Sequence, residues 1–174
     1  MQKIAKFEKV TWEQFYKDWV DTFPPIGSID ETRIKQIYCR IDTPKRATKG
    51  SAGYDFYAPI TFSLQPGETI KIPTGIRCKM EEGWVLKCYP RSGLGFKYRL
   101  KLNNTVGIID CDYAYSDNEG HIFIKMTNEG DKKVEVHEGD GFAQGIFVPF
   151  GITVDDNATE VRNGGFGSTT KSEK

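Results

Sequence analysis

The carboxylates, guanidinium groups and hydroxyls of this 174-residue chain that could do chemistry gather in five short, mostly glycine-bearing islands. Residues 51–55 read Ser-Ala-Gly-Tyr-Asp, 90–95 read Pro-Arg-Ser-Gly-Leu-Gly, and 107–113 read Gly-Ile-Ile-Asp-Cys-Asp-Tyr. Residues 139–144 read Gly-Asp-Gly-Phe-Ala-Gln, and 162–170 read Arg-Asn-Gly-Gly-Phe-Gly-Ser-Thr-Thr. The last island is the most telling. Its glycines can take positive φ and admit a ligand close to backbone N–H groups, its hydroxyls and Arg162 are donors suited to phosphate oxygens, and Phe166 can cover a flat ring. The same composition also describes a loose tail, so the phosphate and the ring must be argued from elsewhere in the chain. Asp110 and Asp112, two residues apart, can share a face or form a metal-ligating turn. Taken singly, Gly-Asp and Arg-Ser-Gly are ordinary turn chemistry.

Other chemistries find little support. Cys39, Cys78, Cys88 and Cys111 form no C-x-x-C pair, and His121 and His137 are the only histidines, which argues against zinc. The four thiols read as small buried or half-buried side chains in a reducing compartment. Lys+Arg and Asp+Glu number 24 each, so no global field draws the chain to nucleic acid or membrane. The run Phe96-Lys97-Tyr98-Arg99-Leu100-Lys101 interleaves bases and aromatics, yet in a neutral protein it reads as a strand-like solvated face. No stretch approaches the ~20 apolar residues of a membrane span, and the first ten residues have no apolar h-region. The expectation is a soluble, cytoplasmic protein without membrane or direct nucleic-acid partners.

The elements that must position these islands change character near residue 50. Residues 11–23 predict a helix, with Thr11 and Gln14 as a capping box and Trp12, Phe15, Trp19 and Phe23 on one stripe, ended by Pro24-Pro25. A second helix, capped by Ser28 and Glu31, would carry Ile34, Ile37, Tyr38 and Ile41, although Ile37, Cys39 and Ile41 also alternate like a strand. The aromatic stripe either packs on the main body or offers a surface to a protein partner. From about residue 52 the period becomes two, with Ile60/Phe62/Leu64, Ile70/Ile72, Ile76/Cys78/Met80, Trp84/Leu86/Cys88, Ile122/Ile124/Met126 and Val134/Val136 as alternating sets. Residues 142–150 form a continuous apolar run expected to be a strand buried on both faces. Short strands at this spacing predict a sandwich or barrel in one domain.

Together and in this order, the five islands resemble the five motifs of the trimeric all-β dUTP diphosphatases (dUTPases), over roughly residues 44–170. The resemblance implies an all-β, distorted jelly-roll or barrel at 44–161, a helical extension at 1–43, and a glycine-rich arm at 162–174 lying over the active site. It implies a homotrimer with shared sites, Mg²⁺ as cofactor, and water attack on the α-phosphorus of dUTP to give dUMP and pyrophosphate. Such chemistry needs positioning and charge neutralisation more than covalent steps.

By the same resemblance Asp110 matches the base that deprotonates the attacking water, and Arg91 and Ser92 match contacts to the phosphate chain beside the breaking bond, with Gly93 admitting backbone there. Asp55 matches the aspartate that holds the metal through metal-bound water, and Gln144 matches a phosphate contact, while Asp140 and Gly141 make the preceding turn. Asn104 matches the amide that reads the uracil edge, in a hairpin leading to Asp110, with Gly107 and Ile109 as further substrate contacts. Tyr113 matches the ring that packs under the deoxyribose and leaves no room for a 2′-hydroxyl. Arg162, Phe166, Gly167, Ser168 and Thr169 match the arm that covers base and terminal phosphate. Asp112 is expected to be structural or to partner an arginine.

Two features depart from the common pattern. Residues 114–119, Ala-Tyr-Ser-Asp-Asn-Glu, are an insertion expected to be an exposed loop, and Arg162 stands one residue closer to Phe166 than in the usual motif. Two rival readings remain at this level. A related dCTP deaminase or bifunctional enzyme would need a catalytic glutamate in the third motif, where this chain has Asp110 and Tyr113. A regulatory module would use a dUTPase body and the extra helix to grip a protein partner.

Overall fold

The computed structural model describes residues 2–23, 30–160 and 162. Strand β1 (Ala5–Lys9) leads into α1 (Trp12–Thr22) and α2 (Glu31–Arg40). The expected cap of α1 is in place, because the Thr11 hydroxyl accepts the Gln14 N–H at 3.3 Å. The cap of α2 is Asp30, which accepts the Thr32 N–H at 2.9 Å, so the helix begins two residues after the predicted Ser28, which lies outside the described residues. Phe15 and Trp19 of α1 and Ile34 and Ile37 of α2 bury one another in a small core of their own. The aromatic stripe therefore packs inward, and the face left outside is a groove of about 600 Å³ lined by Trp12, Lys35, Gln36 and Cys39. Strand β1 was not legible, because five residues with two lysines and a glutamate leave only Ala5 and Phe7 as an apolar alternation. It pairs with β6 (Ile76–Met80) instead, so the extension is stitched to the body by backbone.

The rest is all-β with antiparallel pairing throughout the described residues. The largest sheet orders β2 (Lys45–Arg46), β3 (Tyr54–Tyr57), β12 (Gly141–Pro149), β7 (Trp84–Pro90) and β9 (Gly107–Ile109). A second sheet joins β5 (Thr69–Pro73), β10 (Phe123–Asn128) and β8 (Leu100–Leu102), and β4 (Phe62–Leu64) pairs with β11 (Val134–Val136). Each alternating set turns one face inward: Ile124 and Met126 of β10, Leu86 and Cys88 of β7, and Phe62 and Leu64 of β4 meet in one core. The result is the expected jelly-roll-like body.

Several expectations need correction. The apolar run at 142–150 is buried only over its first half; Ile146, Phe147 and Val148 are half-buried, since β12 is central in its sheet but uncovered toward its end. The run at 96–101 is not one strand: its first residues end α3 (Ser92–Tyr98), Arg99 takes a left-handed φ of 52°, and Leu100 starts β8. Residues 103–106 do not close a hairpin, because β8 pairs with β10 while β9 pairs with β7, so this turn crosses between sheets. Cys39 is exposed rather than buried, on the outer face of α2. The insertion 114–119 is no free loop, since Ala114 and Ser116 are buried.

Candidate active site

Three neighbouring strands of the largest sheet carry most of the motif residues, and their register decides which groups meet. Gln144 on β12 pairs with Asp55 on β3 and with Tyr89 on β7, so the first, second and fourth motifs converge where β7 ends. There Arg91 Nε lies 3.2 Å from Asp55 Oδ1, and the Gln144 amide donates to the Pro90 carbonyl at 3.1 Å. Two glycines make room for this. A Cβ on Gly53 would stand 2.5 Å from Gln144 Oε1, and one on Gly141 would stand 2.7 Å from a terminal nitrogen of Arg91. Ser92 and Gly93 open α3 beside them, and a groove of about 520 Å³ runs past Arg91, Ser92, Gly93, Lys97 and Asp140. The expected turn before Gln144 is present, with Asp140 Oδ2 accepting the His137 N–H at 3.1 Å.

The third motif lies at the other end of β7. Gly107 pairs with Cys88 and Ile109 with Leu86, so β9 runs away from Arg91 and delivers Asp110 beyond Leu86. Asn104 precedes β9 and borders a small recess with Gly107, Ile109 and Leu102. After Asp110 comes a short 3₁₀ turn, Cys111–Tyr115. Its spacing puts Asp110 and Asp112 on one guanidinium: Arg162 Nε donates to Asp112 Oδ1 at 3.0 Å, and a terminal nitrogen of Arg162 bonds Asp110 Oδ2. The arginine partner expected for Asp112 is thus Arg162 itself, which also lies over the Tyr113 ring at 5.9 Å. Phe166, Gly167, Ser168 and Thr169 lie outside the described residues.

Tyr113 is buried, with its hydroxyl donating to the His121 carbonyl at 2.8 Å and accepting from the Asn118 amide at 2.9 Å. Burial raises its phenol pKa against the opposing Asn118 bond, so the ring remains a neutral platform. The cysteines stay out of the chemistry. Burial, reinforced by the Asp112 charge, pushes the Cys111 thiol up, and burial pushes Cys78 and Cys88 to about 12. Among the described residues no three His, Cys, Asp or Glu side chains converge as a metal cage. Sequence reasoning missed Asp18, Asn118, Glu119 and His121, which surround Tyr113 from the extension and the insertion; only the pairing of α1 with the insertion reveals them.

Comparison with known proteins decides the family, because the dUTPase family profile matches residues 40–170. The chain belongs to the dUTPase family. The deoxyuridine 5′-triphosphate nucleotidohydrolase of Lactococcus lactis is 47% identical over 132 residues, covering 74% of this chain and 88% of that protein. Its counterpart in Chromobacterium violaceum is 37% identical over 150 residues, covering 82% and 97%. Among solved structures, the dUTPase from Streptococcus mutans aligns with a TM-score of 0.60 at 32% identity over 86% of this chain and 98% of that one. Strand β1, helix α1 and all of α2 but Arg40 precede the stretch matched by the dUTPase profile.

Proposed function

We infer that this dUTPase-family chain hydrolyses dUTP to dUMP and pyrophosphate, at sites that each draw on more than one subunit of a homotrimer. The carrying observation is the order of the five motifs together with their register on β7. Water attack on the α-phosphorus requires Asp110 and the Arg91–Ser92 pair to flank the same phosphate. Within one chain Asp110 follows the partner of Leu86 while Arg91 follows Pro90, a separation of roughly 20 Å at about 3.3 Å per strand residue. One subunit's Arg91 end must therefore meet another's Asp110 end, which the closed symmetry of a trimer supplies.

In this reading Asp110 takes the proton of the attacking water, and Arg91 and Ser92 neutralise and orient the phosphate oxygens by charge-assisted hydrogen bonds. Gln144 adds a phosphate contact and Gly93 leaves its backbone approachable, with open space where a Cβ would stand. Asn104, with Gly107 and Ile109, reads the uracil edge; such hydrogen-bonding sites discriminate by ~10⁴–10⁵, so cytosine is rejected strongly. Thymine is excluded by shape and ribose by the Tyr113 ring. Arg162 releases the two aspartates and turns to phosphate as residues 166–169 close over the nucleotide. Mg²⁺ fits this donor set, because it is carried largely by water and substrate phosphates, and the single carboxylate of Asp55 suits a water-mediated hold. When bound it would offset charge on the triphosphate.

The test is pyrophosphate release from dUTP, dTTP, dCTP and UTP with Mg²⁺, with ammonia release from dCTP followed in parallel. Turnover confined largely to dUTP is expected. No turnover of dUTP overturns the reading, equal turnover of dTTP overturns the pocket assignment, and ammonia from dCTP favours the deaminase rival.

A further inference from the structure

The helical extension and the insertion 114–119 are bonded to each other. Thr11 at the head of α1 gives Glu119 both its backbone N–H, at 2.8 Å, and its hydroxyl, at 2.6 Å. About two turns further along α1, Asp18 Oδ2 lies 2.5 Å from His121 Nδ1, and Gln14 donates to the same oxygen at 2.8 Å. His121 is fully buried, and its Nε2 accepts the Gly75 N–H at 2.8 Å. A ring nitrogen that accepts from a backbone N–H carries no hydrogen, so the imidazole is neutral and its single proton, on Nδ1, is given to Asp18. The main chain of this same histidine closes the circuit: its carbonyl accepts the Tyr113 hydroxyl, and its N–H donates to the Asn118 carbonyl at 3.0 Å. Between them Gly120, at φ 70°, folds so tightly under Tyr113 that a Cβ would stand 2.6 Å from the Tyr113 carbonyl oxygen and from Ala114 Cα.

We propose that Asp18 is a positioning residue of the nucleotide pocket: through His121 it fixes the Tyr113 ring, so that α1 sets how strictly deoxyribose is preferred over ribose. This rests on the assignment of Tyr113 as the sugar platform. A histidine locked at both ring nitrogens cannot swing, and its carbonyl therefore holds the tyrosine hydroxyl at one place. Without Asp18, the Nδ1–H is buried without its carboxylate partner, the ring seeks another, and the platform loosens. A 2′-hydroxyl that a rigid ring would exclude then finds room.

The experiment compares kcat/KM for dUTP and UTP in the parent, Asp18→Ala, Asp18→Asn and Ile34→Ala. Asp18→Ala is expected to lower the dUTP-over-UTP ratio by about tenfold, mainly through a raised KM for dUTP and gained UTP turnover. Asp18→Asn, which keeps an acceptor for Nδ1–H, is expected to restore most of the ratio. Ile34→Ala weakens the same helical core without touching this circuit and should leave the ratio within about twofold. Where Asp18→Ala does not fold, His121→Gln replaces it, with the same loss of ratio expected. A folded Asp18→Ala or His121→Gln protein with the parent's ratio overturns the proposal, as does an equal loss in Ile34→Ala. A parent that hydrolyses dUTP without preferring it to UTP overturns the assignment of Tyr113 and this inference with it; a preference untouched by Asp18 overturns this inference alone.

Discussion

Two aspartate–arginine pairs stand toward opposite ends of β7, and they are held in different ways. Asp55 and Arg91 meet because β3, β12 and β7 are laddered in fixed register, with Gln144 between them and Gly141 leaving space for the guanidinium. Asp110 and Asp112 meet Arg162 across about fifty residues of chain, and among the described residues after Pro149 none forms a strand with the body. Asp55 is 15% exposed, whereas Asp110 and Asp112 are 43% and 49% exposed. The ladder-held pair is preorganised by the sheet, at the end of β7 proposed above to take the phosphate chain. The arm-held pair contributes little to stability, as half-exposed ion pairs do, and so costs little to open when a substrate competes for its members.

That contrast can be broken first at its chemical end. Asp110→Asn is expected to cut kcat for dUTP by about 10²–10⁴ with the fold intact, as measured by pyrophosphate release and thermal melting. Mixing this variant with inactive Arg91→Ala before reassembly should restore activity at about a quarter of the sites, since hybrid trimers pair a sound Asp110 from one chain with a sound Arg91 from another. Zero recovery would mean that both pairs serve one chain's site.

Arg91→Lys keeps the charge and loses the planar fork, so kcat/KM should fall by about 10²-fold, the loss of a bidentate phosphate contact. Gly141→Ala is a gentler probe of the same end. The added methyl meets only the far end of the Arg91 side chain, which can move, so melting should shift little while turnover falls by about tenfold through a displaced guanidinium.

The smallest effect is expected at a charged cluster that has no chemistry. Glu8 on β1 binds Lys6, Lys79 and Arg77, and the Lys6 and Lys79 bonds lower its pKa from 4.5 to about 2. A depressed carboxylate contributes stability that is full above pH 4.5 and is lost as the pH falls toward 2. Glu8→Gln should therefore cost about 1 kcal/mol or less at pH 7, little by pH 2, and leave dUTP turnover unchanged, read by urea melts and the pyrophosphate assay.

Much of this was legible in the sequence for local reasons. Alternation along a strand is a two-residue pattern, so β4 to β7 and β10 could be read directly, and the Thr11 cap announced α1 within four residues. The motif residues were legible because chemistry demands particular types at particular spacings. Strand β1 was hidden because a charged edge segment shows little apolar period, and α3 because Ser-Gly-Leu-Gly reads as a loop until β7 and β8 fix its ends. The insertion looked exposed because it is polar, yet Glu119 is bonded to Thr11 at the head of α1 and Asn118 to the Tyr113 hydroxyl.

By itself, then, the sequence determined the family and the strand-built body, and it nominated the residues proposed to handle a nucleotide. Only the tertiary structure decided that Arg91 and Asp110 of one chain face opposite ends of β7, and that Asp18 and His121, 103 residues apart, share a proton beneath Tyr113. The reason is physical: residue type and local period are properties of neighbours in the chain, whereas register and hydrogen bonds between distant residues are fixed by which surfaces bury each other.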